Sequence, residues 1–173
     1  MEDSARTLDL DPESVRGWRH GEARWRVGGA DVGVLRDAAT TLLGSGMPGS
    51  PAIAELISSS GADDPRDVRN LVAQVISELG LEPLSEDEAS RILIAEIAIR
   101  ITSGVVEPEV GAREVWRLAS SLPIDERPNE LIGLSSEWEE IRSEQRSKLR
   151  AEIIGAARDL LIDWRAKFPR LPL

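Results

Sequence analysis

The fold class is decided by residues 85–104, which read SEDEASRILIAEIAIRITSG. Ser85 and Glu88 have the spacing of a helix capping box, in which each side chain bonds the backbone amide of the other residue. Within residues 92–101 only two side chains are polar, and they stand four positions apart, so the segment is apolar nearly all round. The 18 residues between the serine and the closing glycine are too many for a usual strand. We therefore predict a helix here and expect it to be the central, most buried element.

Upstream of this segment, residues 64–80 read DPRDVRNLVAQVISELG and show the clearest amphipathic pattern of the chain. Asp64 followed by Pro65 is typical of a helix start, and Gly80 is typical of a helix end. Ser50 followed by Pro51 predicts a shorter helix in the same way. Between the start and the end of the longer helix, apolar residues recur at helical spacing: Val68, Leu71, Val72, Val75, Ile76 and Leu79.

Helix patterns continue on both sides of these two segments, and strand patterns do not. Asp31 caps one further predicted helix, and Pro108 begins another. A second capping-box pattern begins at Ser136 and predicts a helix running to about Lys167. Its stretch from Arg142 to Lys148 is wholly polar, so we expect this part to be exposed or the helix to bend there. The sequence therefore predicts an all-α fold, a single-domain bundle of about six helices over residues 31–173.

The first 30 residues differ from the rest of the chain. They lack apolar periodicity and contain four glycines. We predict an irregular N-terminal arm over residues 1–30, packed on the helical bundle domain of residues 31–173. A homodimer formed through this arm is an alternative that the sequence leaves open.

Composition excludes several chemistries. The 173 residues include no cysteine and no tyrosine, which removes disulfides, thiolate metal sites and cysteine nucleophiles. The single histidine, His20, lies between glycines with no marked partner, so a serine-type catalytic triad is not expected. No leader-like or membrane-spanning apolar run is present in the sequence, and we expect a cytoplasmic protein with no membrane association.

The net charge of −10 is concentrated in the middle of the chain. Residues 31–121 carry 7 basic and 15 acidic side chains, and thus −8 of the total. A field of this sign favours basic partners and repels nucleic-acid phosphates. The leading hypothesis is a non-enzymatic acidic protein-binding module, immunity-type or regulatory, with a basic protein partner. The expected contact residues lie around the ends of two helices adjacent in sequence: Asp63, Asp64, Asp67, Glu82, Glu86 and Asp87.

A second hypothesis places a nucleic-acid contact in the N-terminal arm. Arginines alternate there with tryptophans, and such a surface can stack on bases and hold phosphates. On this alternative the protein is a nucleic-acid-associated regulator. The residues concerned are Arg16, Trp18, Arg19, Arg24, Trp25 and Arg26.

A third hypothesis is a helical metal-dependent enzyme that uses carboxylates. Asp63, Asp64 and Asp67 spell D-D-x-x-D, a magnesium-diphosphate motif, and a second acidic group starts the last predicted helix. Acidic residues also favour helix starts through the helix dipole, and hard cations need oxygens converging from different elements. We therefore expect no metal and no cofactor. The second acidic group consists of Glu137, Glu139, Glu140 and Glu144.

Residues 100–116, RITSGVVEPEVGAREVW, and residues 133–138, GLSSEW, resemble a pattern in uncharacterised small all-helical bacterial proteins. In these proteins a helix, a Ser-Gly turn and a proline-started helix ending near tryptophan recur, and some of them are regarded as toxin-immunity or accessory proteins. The resemblance carries no known activity and no site residue. The residues themselves predict a helical hairpin with its turn at Ser103 and Gly104.

Overall fold

The computed structural model of the chain describes residues 11–29, 32–45, 50–60, 63–169 and 171. Over these residues the chain is helical and has no strand, which confirms the all-α prediction. Eight α-helices are present rather than about six. They are α1 (Pro12–Gly28), α2 (Val32–Gly44), α3 (Pro51–Ser58), α4 (Pro65–Glu78), α5 (Glu86–Thr102), α6 (Pro108–Ala119), α7 (Asn129–Glu140) and α8 (Arg146–Lys167). Short 3-10 turns at Ile124–Glu126 and Ser143–Gln145 precede α7 and α8.

The chain divides into two compact units. The N-terminal unit is Met1–Ser85 and the C-terminal unit is Glu86–Leu173, so the division falls at the start of α5 and not near residue 30. Each unit contains four of the α-helices, and each is described by itself below.

In the N-terminal unit each helix packs on the next one along the chain. The core is formed by the apolar stripes of all four helices, and the six apolar residues predicted to line α4 are all buried in it. Gly80, with a φ of +63°, ends the turn after α4 in a conformation that glycine adopts without strain. From α1 the core receives the fully buried indole of Trp18.

The prediction of an irregular arm is wrong for residues 12–28, which form α1. Asp11 caps this helix by accepting hydrogen bonds from the amide (3.0 Å) and the hydroxyl (2.8 Å) of Ser14, which lower the pKa of Asp11. Gly21, which weakens the helix pattern, lies where α1 meets α2: a β-carbon there would lie 2.6 Å from the Ala38 β-carbon. The glycine is thus explained by close helix packing and not by a loop.

In the C-terminal unit α5 packs against both α6 and α8. Ten of its 17 residues are buried, in agreement with its apolar sequence. Gly111 of α6 lets the two helices approach, because a β-carbon at this position would lie 2.5 Å from the Ile101 side chain. α7 completes the unit by packing on α6 and α8.

The predicted long helix from Ser136 to Lys167 is two helices. Ser136 lies inside α7, and its hydroxyl donates to the carbonyl oxygen of Ile132 (3.2 Å) instead of capping a helix start. The chain leaves the helical conformation at Ile141 and re-enters it at Arg146. The break falls in the polar run of residues 142–148, where few apolar side chains hold the backbone against a core.

Arg150 of α8 ties this helix to the start of α6. Its Nε donates to Glu109 (3.0 Å), its Nη2 lies 3.3 Å from a Glu107 carboxylate oxygen, and its guanidinium lies 5.5 Å from the centre of the Trp138 ring. Burial raises the pKa of Glu109, but the hydrogen bonds from Arg150 and a backbone amide, with the positive charges of Arg150 and Arg146, lower that pKa by more. Glu109 is therefore held ionised, with a pKa below its ordinary value.

Candidate functional sites

The structure does not assemble the predicted nucleic-acid surface as one face of α1. Trp18 is fully buried and so is not free for base stacking, and Trp25 is partly buried against the same core. Arg19 donates to Glu22 (3.0 Å) and to the carbonyl oxygen of Glu82 (2.6 Å). Arg26 lies 3.6 Å from Glu22, and Arg16 and Arg24 are exposed. The two tryptophans and Arg19 thus contribute to the packing of α1 within its unit.

The acidic residues at the start of α4 have local roles. Asp63 accepts hydrogen bonds from the amide (2.6 Å) and the hydroxyl (3.1 Å) of Ser60, and Asp64 caps α4 by accepting from the amide of Arg66 (2.8 Å). Asp67 is exposed in the first turn, where an acidic side chain favours the helix dipole. The N-terminal unit also contains Glu82, whose side chain is exposed.

Glu86 and Asp87 lie in the first turn of α5 and belong to the C-terminal unit. The six predicted partner contacts are therefore divided four to two between units. Within the described ranges no three histidine, cysteine or acidic side chains are grouped so that they could hold a metal ion. The second acidic group ends α7 instead of starting the last helix, apart from Glu144 in the following 3-10 turn.

A cavity of about 450 Å³ in the N-terminal unit brings together members of two predicted sites. Trp25 and Arg26 of α1 and Asp63 before α4 all line it, with Val32 and Val68 among its apolar residues. Its charged lining residues are of both signs, Asp63 against Arg26 and Arg69, and Arg26 also lies 3.6 Å from the buried carboxylate of Glu22. The cavity therefore does not present charge of one sign to a ligand.

The C-terminal unit contains an acidic groove that the sequence analysis missed. Residues 125–131 form one wall and the second half of α8 forms the other, and the space between them is about 290 Å³. Leu131 and Trp164 are among its apolar residues. Five carboxylates line it: Asp125, Glu126, Glu130, Asp159 and Asp163.

Two basic side chains, Arg127 and Lys167, also line this groove, so acidic side chains outnumber basic ones five to two. Arg127 donates to the carbonyl oxygens of Leu122 (3.1 Å) and Ser120 (3.3 Å). Lys167 lies 3.6 Å from Glu126, which also accepts from Arg91 (2.9 Å). The remaining four carboxylates make no ion pair with any residue that the structure describes, so the groove keeps a strong negative charge.

Asp159 and Asp163 are unfavourable for the helix that carries them. They are four residues apart on α8, where like charges repel, and aspartate is a poor helix former. Asp163 also lies near the C-terminal end of the helix, where the dipole disfavours negative charge. Lys167 follows Asp163 at the favourable i, i+4 spacing, but it lies 3.6 Å from Glu126 and forms no ion pair with Asp163. Neither aspartate caps a helix, in contrast to Asp64. Their i, i+4 spacing in a predicted helix is the sequence signal that could have drawn attention to them.

Comparison of the chain with protein-family models, curated proteins and solved structures finds no match. Among the described residues, no helix has both the length and the apolar character needed to cross a membrane. The geometry of the sites is therefore the basis for a functional proposal.

Proposed function

We propose that the protein is a non-enzymatic protein-binding module whose acidic groove takes a basic segment of a partner protein. The observation that carries the proposal is a set of four carboxylates, Asp125, Glu130, Asp159 and Asp163, that surround one concave surface and form no ion pair with any residue the structure describes. Asp159 and Asp163 are like charges four residues apart on one helix, a spacing that the helix alone does not favour and that recognition of positive charge explains.

The chemistry expected of the partner follows from the charged and the apolar side chains that line the groove. The carboxylates attract lysine or arginine side chains, and the half-buried Leu160 contacts aliphatic parts of the same segment, whereas Leu131 and Trp164 are buried in the wall. Complementary charge mainly speeds association and selects the partner. The segment expected in the groove is thus basic and also carries apolar side chains.

The direct test is binding of a short fluorescein-labelled peptide in which lysines alternate with leucines and alanines, measured by fluorescence anisotropy at low and high salt. In the variant D159N/D163N two exposed charge pairs are lost. At about 0.7 kcal/mol for each pair the affinity is expected to fall roughly tenfold. The same peptide with glutamate in place of lysine is expected not to bind.

The matched control is D67N/E82Q, which removes the same charge from two exposed acidic residues of the predicted surface in the N-terminal unit. This control is expected to bind within twofold of the wild type. Loss of binding in the control but not in the groove variant would reject the groove and favour the surface around Asp67. Equal losses in both variants would indicate attraction by net charge alone.

Natural partners are identified by affinity capture from a lysate with the wild type, D159N/D163N and D67N/E82Q in parallel. A basic protein retained by the wild type and the control, released by salt and lost with the groove variant, would support the proposal. Proteins retained equally by all three baits carry no information about the groove.

A further inference from the structure

The face of α6 that points away from the core exposes apolar side chains in a groove of about 700 Å³. Trp116 is 48% exposed and Val110 is 51% exposed, in a chain that has only five tryptophans. Exposed apolar patches on a folded protein mark contact surfaces, and tryptophan and arginine are enriched among binding hot spots. We call this surface the α6 face; its other members are Arg113, Glu114, Arg117 and Ser120.

The α6 face carries two side chains of opposite charge, Glu114 and Arg117, close together along the helix. Glu114 and Arg117 are three residues apart on the helix, a spacing at which acidic and basic side chains can pair. Neither forms an ion pair with the other or with any other described residue. Arg113 lies 3.8 Å from Glu139, but both side chains are about 60% exposed, so this pair is weak.

We propose that the α6 face binds the same face of a second copy of this chain. In an antiparallel pair of α6 helices related by a twofold axis near residues 115 and 116, Glu114 of each copy stands opposite Arg117 of the other. The same axis brings Trp116 of each copy next to Arg113 of the other, where a guanidinium can lie on the indole ring. One symmetric contact therefore uses both unpaired charges twice and covers both indoles.

A second copy fits this face better than a uniformly charged partner, because the face carries both signs of charge beside its apolar centre. The contact is small: the 12 residues of α6 span about 18 Å. A helix pair of this length falls below the usual size of a stable interface, so the dimer is expected to dissociate in the micromolar range. Two chains of charge −10 repel each other, and moderate salt screens that repulsion.

The test is sedimentation velocity of the full chain over a wide range of concentration at moderate salt. The wild type is expected to pass from monomer to dimer as its concentration rises. E114R and R117E each place like charges opposite one another and are expected to weaken association at least fivefold. The double variant E114R/R117E restores both pairs with their signs exchanged and is expected to return within twofold of the wild type.

W116A is expected to weaken association about tenfold, whereas I162A, which removes an even more exposed apolar side chain from α8, is expected to have no effect. Far-ultraviolet circular dichroism of each variant checks that the helices are intact. A monomeric wild type at every concentration would overturn the proposal, as would a dimer that is indifferent to all three α6 changes. A double variant no better than the single ones would overturn the antiparallel pairing. None of these results bears on the acidic groove.

Discussion

Replacing Glu22 with alanine is expected to be among the most destabilising single substitutions in the N-terminal unit. The Glu22 carboxylate is fully buried, and its Oε1 accepts a hydrogen bond from the backbone amide of Leu84 (2.8 Å). Its Oε2 accepts from Arg19 (3.0 Å), and Arg26 lies 3.6 Å away. One side chain thus joins α1 to the segment that follows α4.

The magnitude follows from what the E22A variant leaves behind. Arg19 loses its carboxylate partner and keeps only the carbonyl oxygen of Glu82 while its side chain stays 15% exposed, and the buried amide of Leu84 loses the carboxylate acceptor. Breaking a buried ion pair from one side costs about 3–5 kcal/mol. E22Q keeps an acceptor oxygen for the amide and the volume of the side chain, so its cost is expected to be about 2 kcal/mol. Typical domains have only about 5–15 kcal/mol of stability in total.

The assay is urea unfolding at equilibrium, followed by far-ultraviolet circular dichroism, for the wild type, E22A, E22Q and E55A. Glu55 is an exposed acidic residue of α3, and its removal is expected to change the free energy of unfolding by less than about 0.5 kcal/mol. Hydrogen exchange read by mass spectrometry adds a local measure, because peptides from α1 and from residues 81–85 are expected to lose protection in E22A.

Two results would refute this reasoning. If E22A matched E55A in stability, the carboxylate would not hold α1 to the segment after α4. If E22Q cost as much as E22A, the negative charge and not the hydrogen bond to Leu84 would dominate.

Two further predictions concern helix packing and pH. G21A is expected to destabilise the protein by about 1–3 kcal/mol through overpacking, because the new β-carbon would lie 2.6 Å from Ala38. G133A lies in open space within α7 and is expected to stabilise the protein by up to about 1 kcal/mol. Thermal unfolding measures both changes, and two changes of the same sign would contradict the packing argument. Because the pKa of Glu109 in the folded protein lies below its ordinary value of 4.5, its ion pair with Arg150 stabilises the fold fully above that pH and less as the pH falls through the lowered pKa. R150Q is therefore expected to be less stable than the wild type at pH 7, with the difference shrinking below about pH 4; a difference that is constant between pH 7 and pH 3 would show that the ion pair is not its cause.

The helices from α2 to α6 could be predicted because their ends are encoded locally. Asp64 and Pro65 begin α4 as predicted, and Ser50 begins α3 by accepting a hydrogen bond from the amide of Ile53 (3.0 Å). Capping residues act within one turn, so they are readable without knowing what the helix packs on. Asp11 followed by Pro12 is the same kind of helix start. The glycines that follow it weaken the helix pattern, and for this reason α1 was not predicted.

The predictions that failed depend on distant contacts. Gly21 weakens a helix when its sequence is read alone, but packing against Ala38 makes a small residue necessary there. The pattern at Ser136 has the letters of a capping box, yet the preceding turn is already helical because α7 packs on its neighbours. A local motif cannot show whether the backbone before it is free to leave the helix.

The sequence by itself determined the all-α class, most of the helix boundaries and the acidity of the chain, because periodicity, capping and charge are properties of neighbouring residues. Only the tertiary structure decided which charges remain unpaired. In the folded chain Asp63 and Asp64 accept local hydrogen bonds. Asp159 and Asp163 lie in the same groove as Asp125, which is more than 30 residues earlier in the chain. Whether a charge is neutralised depends on side chains brought close by folding, and no reading of adjacent residues contains that information.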